Sequence, residues 1–426
     1  MTRILRYAAT AAVFSPALLF GQSKRAKCDA NNAGITLPAG FCATLFADSV
    51  PGARHLVVAP NGDVFVSAQG KSGGIVALRD ADGDGHADSR VKFASGFNSS
   101  EVALFDGYLY TETTTGVLRF PMKPGSLEPA GRADTVVKGL PDKGHFNKTF
   151  TIARNGTIYL NVGSRTNSCQ KGDRAEGSPG IDPCTELETR GGIWTFNARK
   201  LGQTEQAGRH FARGIRNAVG ITIRPTDGKL WTTQHGRDQL GGVGGSWPKL
   251  FTQDYSAENP AEELLQVKRG DDFGWPYCYY STEVKRLVLA PEYGGDGKKV
   301  GRCANKKQPV AVFPAHWAPN ALFFYTGGMF PERYKSGAFI AFHGSWNRAP
   351  LPQGGFNVVF QPLHGDRVGG AYEIFASGFA TALNQSRSRG NARPTGLAQG
   401  PDGALYIADD ATGRIWKVVY SASSNE

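Results

Sequence analysis

The chain has 426 residues, room for one large domain or two, and only 20% of them are charged, which excludes wholesale disorder. Its 55 glycines and 11% aromatic residues suit many tight turns between short, half-buried strands and argue against a helical protein. The formal charge of +11 leaves two readings open, a basic surface or an electropositive pocket for an anion; nucleic acid is set aside, because Lys and Arg are scattered without a recognition-helix pattern.

Residues 1–22 read as a signal peptide. Arg3 and Arg6 form its charged end, 7–20 is mostly apolar, and the small residues Gly21 and Ser23 follow. The stretch is too short for a stable membrane span, and no later segment reaches the about 18 apolar residues a span requires. No Leu-rich lipobox precedes Cys28. Export to the periplasm or outside the cell is therefore expected. The remainder, 28–422, is expected to form a single domain. Its cysteines fall into local pairs, Cys28 with Cys42, Cys169 with Cys184 and Cys278 with Cys303. Sequence does not fix the pairing, but disulfides stapling long insertions suit an oxidising compartment. Metal ligation is the rival, and no CxxC supports it.

One unit recurs six times, a Gly turn followed by an alternating strand. The copies are Pro60 to Ser67, Phe105 to Tyr110, Arg154 to Tyr159, Thr226 to Trp231, Tyr334 to Ile340 and Pro401 to Tyr406. Most carry Asn-Gly or Asp-Gly, which predicts two-residue hairpins with positive φ at both central positions. The fifth, with Ser-Gly, departs from the pattern. A second strand follows most copies; the candidates are Gly74 to Leu78, Gly116 to Phe120, Gly192 to Phe196, Leu264 to Val267, Phe356 to Pro362 and Gly413 to Val419. The fold class is all-β, a six-bladed β-propeller of four-stranded antiparallel blades with disulfide-stapled loop insertions. Phe41 to Ala47, a strand without a nearby partner, is expected to supply the outer strand of the final blade. The long gaps, around Cys169 to Cys184 and from Gln239 to Phe324, are expected to carry insertions on a functional face.

Several residues are candidates for chemistry. His145 precedes the third unit, where it is either a general base near the channel or a structural turn residue. Arg216 and Asn217 precede the fourth unit, Arg393 precedes the sixth, and Arg348 follows the fifth. Each arginine alone is as well explained by a surface or structural role. Together at one mouth they would repel unless an anion such as a carboxylate lay between them. A separate signal is Asp80, Asp82, Asp84 and Asp88 with Gly85, which match the front of a calcium loop; Val91 stands where the closing Glu belongs, and an Asp/Gly-rich hairpin turn explains the run equally well.

The segments Lys143 to His145, Gly214 to Asn217, His235 to Asp238, Phe273 to Pro276, His343 to Arg348 and Arg393 to Gly396 resemble the glucose/sorbosone dehydrogenase family, soluble quinoproteins that use pyrroloquinoline quinone (PQQ). The likeness runs from about Leu37 to Tyr420 and is closer to the sorbosone branch. The resemblance implies PQQ on the channel axis, and His145 as the base that takes the substrate hydroxyl proton while hydride passes to the quinone. It implies Arg216 and Asn217 at the quinone oxygens and Arg393 at a cofactor carboxylate. Arg348 falls where another cofactor cation is expected, and Asn98 is a further candidate contact. The backbone carbonyls of Gly236 and Arg237 match a calcium-holding loop. The implied substrate is a sugar or sugar-derived aldehyde, oxidised to a lactone or acid with electrons passed to an external acceptor. Gly144 stands where the glucose branch has an acidic residue, and Thr395 replaces a second arginine of that branch. Trp275 and Pro276 read as packing for an insertion; His316 and His343 either line the mouth or are structural. Two other readings stay open, a non-catalytic binding propeller and a calcium-dependent lactonase-type propeller, although the latter calls for inward carboxylates where these motifs offer arginines.

Overall fold

The computed structural model describes residues 28–380 and 392–421; the expected signal peptide lies outside them. Among the described residues six antiparallel sheets form the blades of a ring, and a seventh, two-stranded sheet pairs Cys278–Ser281 with Arg286–Leu289. The first blade runs Ala53–Val58, Val64–Ala68, Gly74–Arg79, Ser89–Ser95, and the second Val102–Phe105, Tyr108–Thr113, Gly116–Pro121, Asp134–Val137. The third comprises Phe150–Ile152, Thr157–Val162, Gly192–Asn197 and Arg209–Arg213, and the fourth Ile221–Ile223, Leu230–Gln234, Glu262–Val267 and Ala311–Phe313. The fifth is built from Pro319–Phe323, Gly337–Phe342, Asn357–His364 and Glu373–Ala376. The sixth takes Pro394–Gln399, Leu405–Asp409 and Ile415–Tyr420 from the end of the chain and Phe41–Ala47 from its beginning. Phe41 pairs with Tyr420, so the ring closes as expected.

Each sequence repeat ends in the second strand of a blade, and these strands are buried on both faces, as in Leu230–Gln234 and Leu405–Asp409. Their side chains fill the interfaces between blades. Tyr110, Phe150 and Trp194 pack between the second and third, and Trp231 meets Phe324 between the fourth and fifth. At the closing seam Phe41 lies edge-on to Phe330 and Phe375, an arrangement aromatic quadrupoles favour.

The turns differ from expectation in one respect. Only Asp106-Gly107 is a two-residue hairpin with positive φ at both residues, joining Phe105 directly to Tyr108. In four other copies the loop is longer, and the Asn or Asp keeps ordinary φ. There its side-chain oxygen accepts the N–H two residues on, from Asp63 to Asn61, Thr157 to Asn155, Lys229 to Asp227 and Ala404 to Asp402. The repeat thus records a side-chain-capped turn. The fifth copy lacks that oxygen, and its Gly337 opens a strand after the short 3-10 turn Glu332–Lys335.

Because strands alternate in direction, the connections between blades and those between second and third strands share one end of the ring. The capped turns and the third-to-fourth-strand connections share the other. The stapled insertion Cys169–Cys184 lies in a connection of the first kind, as does the helix Gln253–Glu258. The insertion 268–310 leaves from the opposite end and folds back along the fourth blade. It is held by Cys278–Cys303, and Tyr279 reaches Tyr255 at 2.9 Å. The third disulfide joins Cys28 to Cys42.

Candidate functional site

His145 sits on the connection from the second to the third blade, half-buried. Its Nδ1 lies 2.9 Å from the Ser164 carbonyl and 3.0 Å from the Ser164 hydroxyl. That hydroxyl already donates to the Thr166 carbonyl at 2.7 Å, so both oxygens can only accept from the imidazole. The neutral ring must therefore carry its hydrogen on Nδ1, leaving a bare lone pair on Nε2. Burial, reinforced by the Arg216 guanidinium, pushes the His145 pKa down to about 3, so the ring is neutral at ordinary pH. Gly144, at φ 76°, lets the loop approach this closely: a Cβ there would lie 2.4 Å from the Arg165 Cα. An acidic residue has no room at this position. Beneath the loop the buried Lys148 anchors it by donating from Nζ to the Phe146 carbonyl at 2.8 Å.

Arg216 and Asn217, on the next inter-blade connection, are both buried. The Arg216 guanidinium donates to the Asn167 carbonyl, the Asn167 side chain, the Gly236 carbonyl and Asp238 at 2.9–3.2 Å. Asp238 also accepts from Arg174 and Asn347. Burial opposes its charge, but the Arg216 and Arg174 guanidiniums outweigh that and hold its carboxyl well below the ordinary range. Asn217 gives its Oδ1 to Asn161 at 3.1 Å, and Nδ2 has no partner among the described residues. His235 donates from Nε2 to the Pro319 carbonyl and is pushed down to about 4 by burial, with Arg216 and His343 adding to the effect.

A second group faces this one from the closing seam. His343 bonds Asp410 at 2.8 Å, and Arg54 donates to the other Asp410 oxygen at 2.8 Å. Arg393 donates to the His343 and Gly344 carbonyls, and among the described residues no carboxylate bonds its guanidinium. Burial lowers its pKa, and nearby Arg54 adds to the effect. Across the two groups four guanidiniums, of Arg54, Arg174, Arg216 and Arg393, face the two carboxylates Asp238 and Asp410. Asp409 and Glu262 also act on Arg393 and Arg216, so the buried guanidinium charge is largely matched by neighbouring carboxyls. Sequence motifs pointed to His145, Arg216, Asn217 and Arg393. They missed Asp238, although it closes the quoted His235 segment, and they missed Arg54 and Asp410, which carry no motif.

Other candidates lie elsewhere. The buried Arg348 spends its guanidinium on the carbonyls of Pro352, Ala257 and Ala315 and on Glu258, so it tethers its loop to the helix Gln253–Glu258. Its neighbour Asn347 is the residue that reaches Asp238. Asn98 is exposed and accepts from the Gly70 N–H, fixing a loop. Trp275 packs on the Cys169–Cys184 disulfide, as its structural reading expects, and His316 is buried against the Ser256 carbonyl. Asp80, Asp82 and Asp88 bring oxygens within 4.8 Å of one another, but Asp84 is outside that group. Their hairpin projects from the opposite end of the ring, and Asp80 spends both oxygens on the Gly83 and Gly85 N–H groups.

A family model described as TrAA12-like matches residues 35–421. A pyrroloquinoline quinone-dependent sugar dehydrogenase of Hypocrea jecorina is 24% identical over 99% of this chain and 98% of its own length. A pyrroloquinoline quinone-dependent pyranose dehydrogenase of Coprinopsis cinerea is 29% identical over 69% of this chain, which spans 42% of that protein. The solved PQQ domain of the Coprinopsis enzyme in holo form superposes with a TM-score of 0.72 at 21% identity, covering 90% of this chain and 97% of that one. A Trichoderma reesei carbohydrate-active enzyme of family AA12 superposes at 0.76 with 20% identity, over 93% and 100% of the two chains.

Proposed function

Since the chain belongs to the TrAA12-like family, we propose that it is a PQQ-dependent dehydrogenase that oxidises a hydroxyl of a sugar or a hydrated sugar aldehyde and passes the electrons to an external acceptor. The observation that carries this reading is geometric: Ser164 holds His145 Nδ1 and leaves Nε2 as the accepting nitrogen, beside the buried Arg216 and the Arg393 guanidinium.

The side chains suit an anionic quinone. Among the described residues the Arg393 guanidinium has no carboxylate partner and the Asn217 amide nitrogen no acceptor. These groups would hold a cofactor carboxylate and a quinone oxygen. PQQ, when bound, supplies the electrophilic quinone that accepts the hydride. His145 Nε2 takes the proton of the substrate hydroxyl, and the Ser164 carbonyl keeps the ring in the accepting tautomer. The adjacent Arg216, held by Asp238, disfavours a second proton on the ring and so keeps the base free between turnovers.

Calcium fits less well. The Gly236 carbonyl already accepts from Arg216, and that guanidinium would oppose a cation on the same oxygen. The Arg237 carbonyl is free, but its side chain is tied to Glu292. As arranged these residues do not make a calcium site; the calcium dependence of PQQ affinity measures whether Arg216 gives way. Calcium on Asp80, Asp82 and Asp88 would be a separate, structural ion at the far end.

Incubation with PQQ, followed by an absorption spectrum before and after a panel of aldoses and aldehydes, tests the reading. Reduction of bound quinone by at least one sugar is expected. Absence of PQQ binding at micromolar concentration overturns it.

A further inference from the structure

We infer that Arg54, from the first blade, holds a second carboxylate of the anionic quinone beside Arg393 and so fills in space the role that Thr395 leaves empty in sequence. The inference rests on the proposed PQQ chemistry and assigns one more residue to it.

Arg54 is buried at the seam where the first and sixth blades meet. One of its N–H groups goes to Asp410 at 2.8 Å, its Nε is sealed without an acceptor, and Nη2 has no partner among the described residues. The buried Arg348 guanidinium, by contrast, spends nearly all its donors on protein oxygens. Arg54 keeps most of its own.

Its position is built by the residues that replace the expected arginine. Thr395 donates from Oγ1 towards the Ala53 carbonyl at 3.1 Å and lies 3.2 Å from that of Ala408, binding the two blades directly under Arg54. The next residue, Gly396, admits the Arg54 backbone, since a Cβ there would lie 2.3 Å from the Arg54 carbonyl oxygen. Arg54 and His343 share the Asp410 carboxylate, and Arg393 donates to the His343 carbonyl, so the two guanidiniums border one region. Arg54 also lines a cavity of about 350 Å³ with Gln69, Lys71 and Asp410, on the end of the ring that carries His145. With Lys71 exposed at the lip and one carboxylate among the lining groups, the cavity has a net positive lining suited to an anion.

The rival is a salt bridge that merely closes the ring. Arg54→Lys retains a cation for Asp410 but loses the planar fork, and Arg54→Ala removes both. The measurements are thermal stability and the Kd of PQQ and of its trimethyl ester, which has no carboxylates, by fluorescence titration. The expected result is a loss of PQQ affinity of about tenfold to a hundredfold for Arg54→Ala, and a smaller loss for Arg54→Lys, with ester affinity unchanged. A folded Arg54→Lys that binds PQQ within twofold of wild type overturns the inference, as does an equal loss for the ester. Should Arg54→Ala not fold, Arg54→Lys alone decides. Wild-type protein that binds no PQQ overturns the parent reading and this one together.

Discussion

The Nδ1 atom of His145 and the carbonyl oxygen of Ser164 are 2.9 Å apart, and this contact alone fixes which imidazole nitrogen can accept a proton. Because the acceptor is backbone, the tautomer survives loss of the serine side chain. Ser164→Ala should change kcat less than threefold, whereas His145→Ala should lower it by about 10²–10⁴-fold while PQQ affinity is largely kept. Steady-state kinetics and PQQ titration of both variants check this; equal losses of kcat and PQQ affinity in His145→Ala would count against the base role.

Asp238 joins Arg216, Arg174 and Asn347. Asp238→Asn leaves the buried Arg216 charge uncompensated, and a cost of about 3–5 kcal/mol is expected in denaturant unfolding. The nearby His145 then loses the carboxylate that partly offsets the guanidinium field, so its pKa should fall further, which NMR titration can follow.

Arg348→Ala separates tether from ligand. Its partners are three carbonyls and Glu258, so the variant should lose about 2–4 kcal/mol of stability through orphaned buried acceptors. Its Kd for PQQ should stay within twofold of wild type; a tenfold weakening would place Arg348 in the pocket.

Stability should also depend on pH in two opposed ways. Burial raises Glu263 to about 8, and burial likewise raises Glu262 to about 7, so the folded state keeps protons that the unfolded chain releases above about 4.5. Their contribution is present at low pH and lost as pH climbs towards 7–8. His145 and His235 act in reverse: their contribution is present above about 6.5 and lost on acidification towards 3–4. The Tm should therefore fall from pH 6.5 to 7.5, where buried Glu112, raised to about 7, and His55, raised because its burial is outweighed by Glu101, act in the same direction. Glu263→Gln should flatten that limb, each such group contributing at most about 1.4 kcal/mol per pH unit. A variant with an unchanged slope in differential scanning fluorimetry would contradict this.

The propeller was legible because its information is local. In four copies an Asn or Asp caps a turn within two residues of itself, in a fifth an Asp-Gly makes a tight hairpin, and the strand beside each alternates at once, so the repeat stands out in a linear reading. His145, Arg216 and Asn217 were legible for the same reason, each lying just before an inner strand. Arg54 and Asp410 were not, because nothing near residue 54 or residue 410 signals the other. Arg348 was assigned by its place in a block; which way the side chain turns is decided by the helix Gln253–Glu258, far off in sequence.

The pairing of Phe41 with Tyr420 has a consequence for how the protein comes into being. A nascent chain can complete five blades while its first strand waits without a partner. Only when Ile415–Tyr420 has been made can that strand be seated, and the same event carries Asp410 to Arg54. Closing contacts so distant in sequence are slow to find. No partly folded form can bring Asp410 to Arg54, so the proposed PQQ binding would double as a report that the ring has shut.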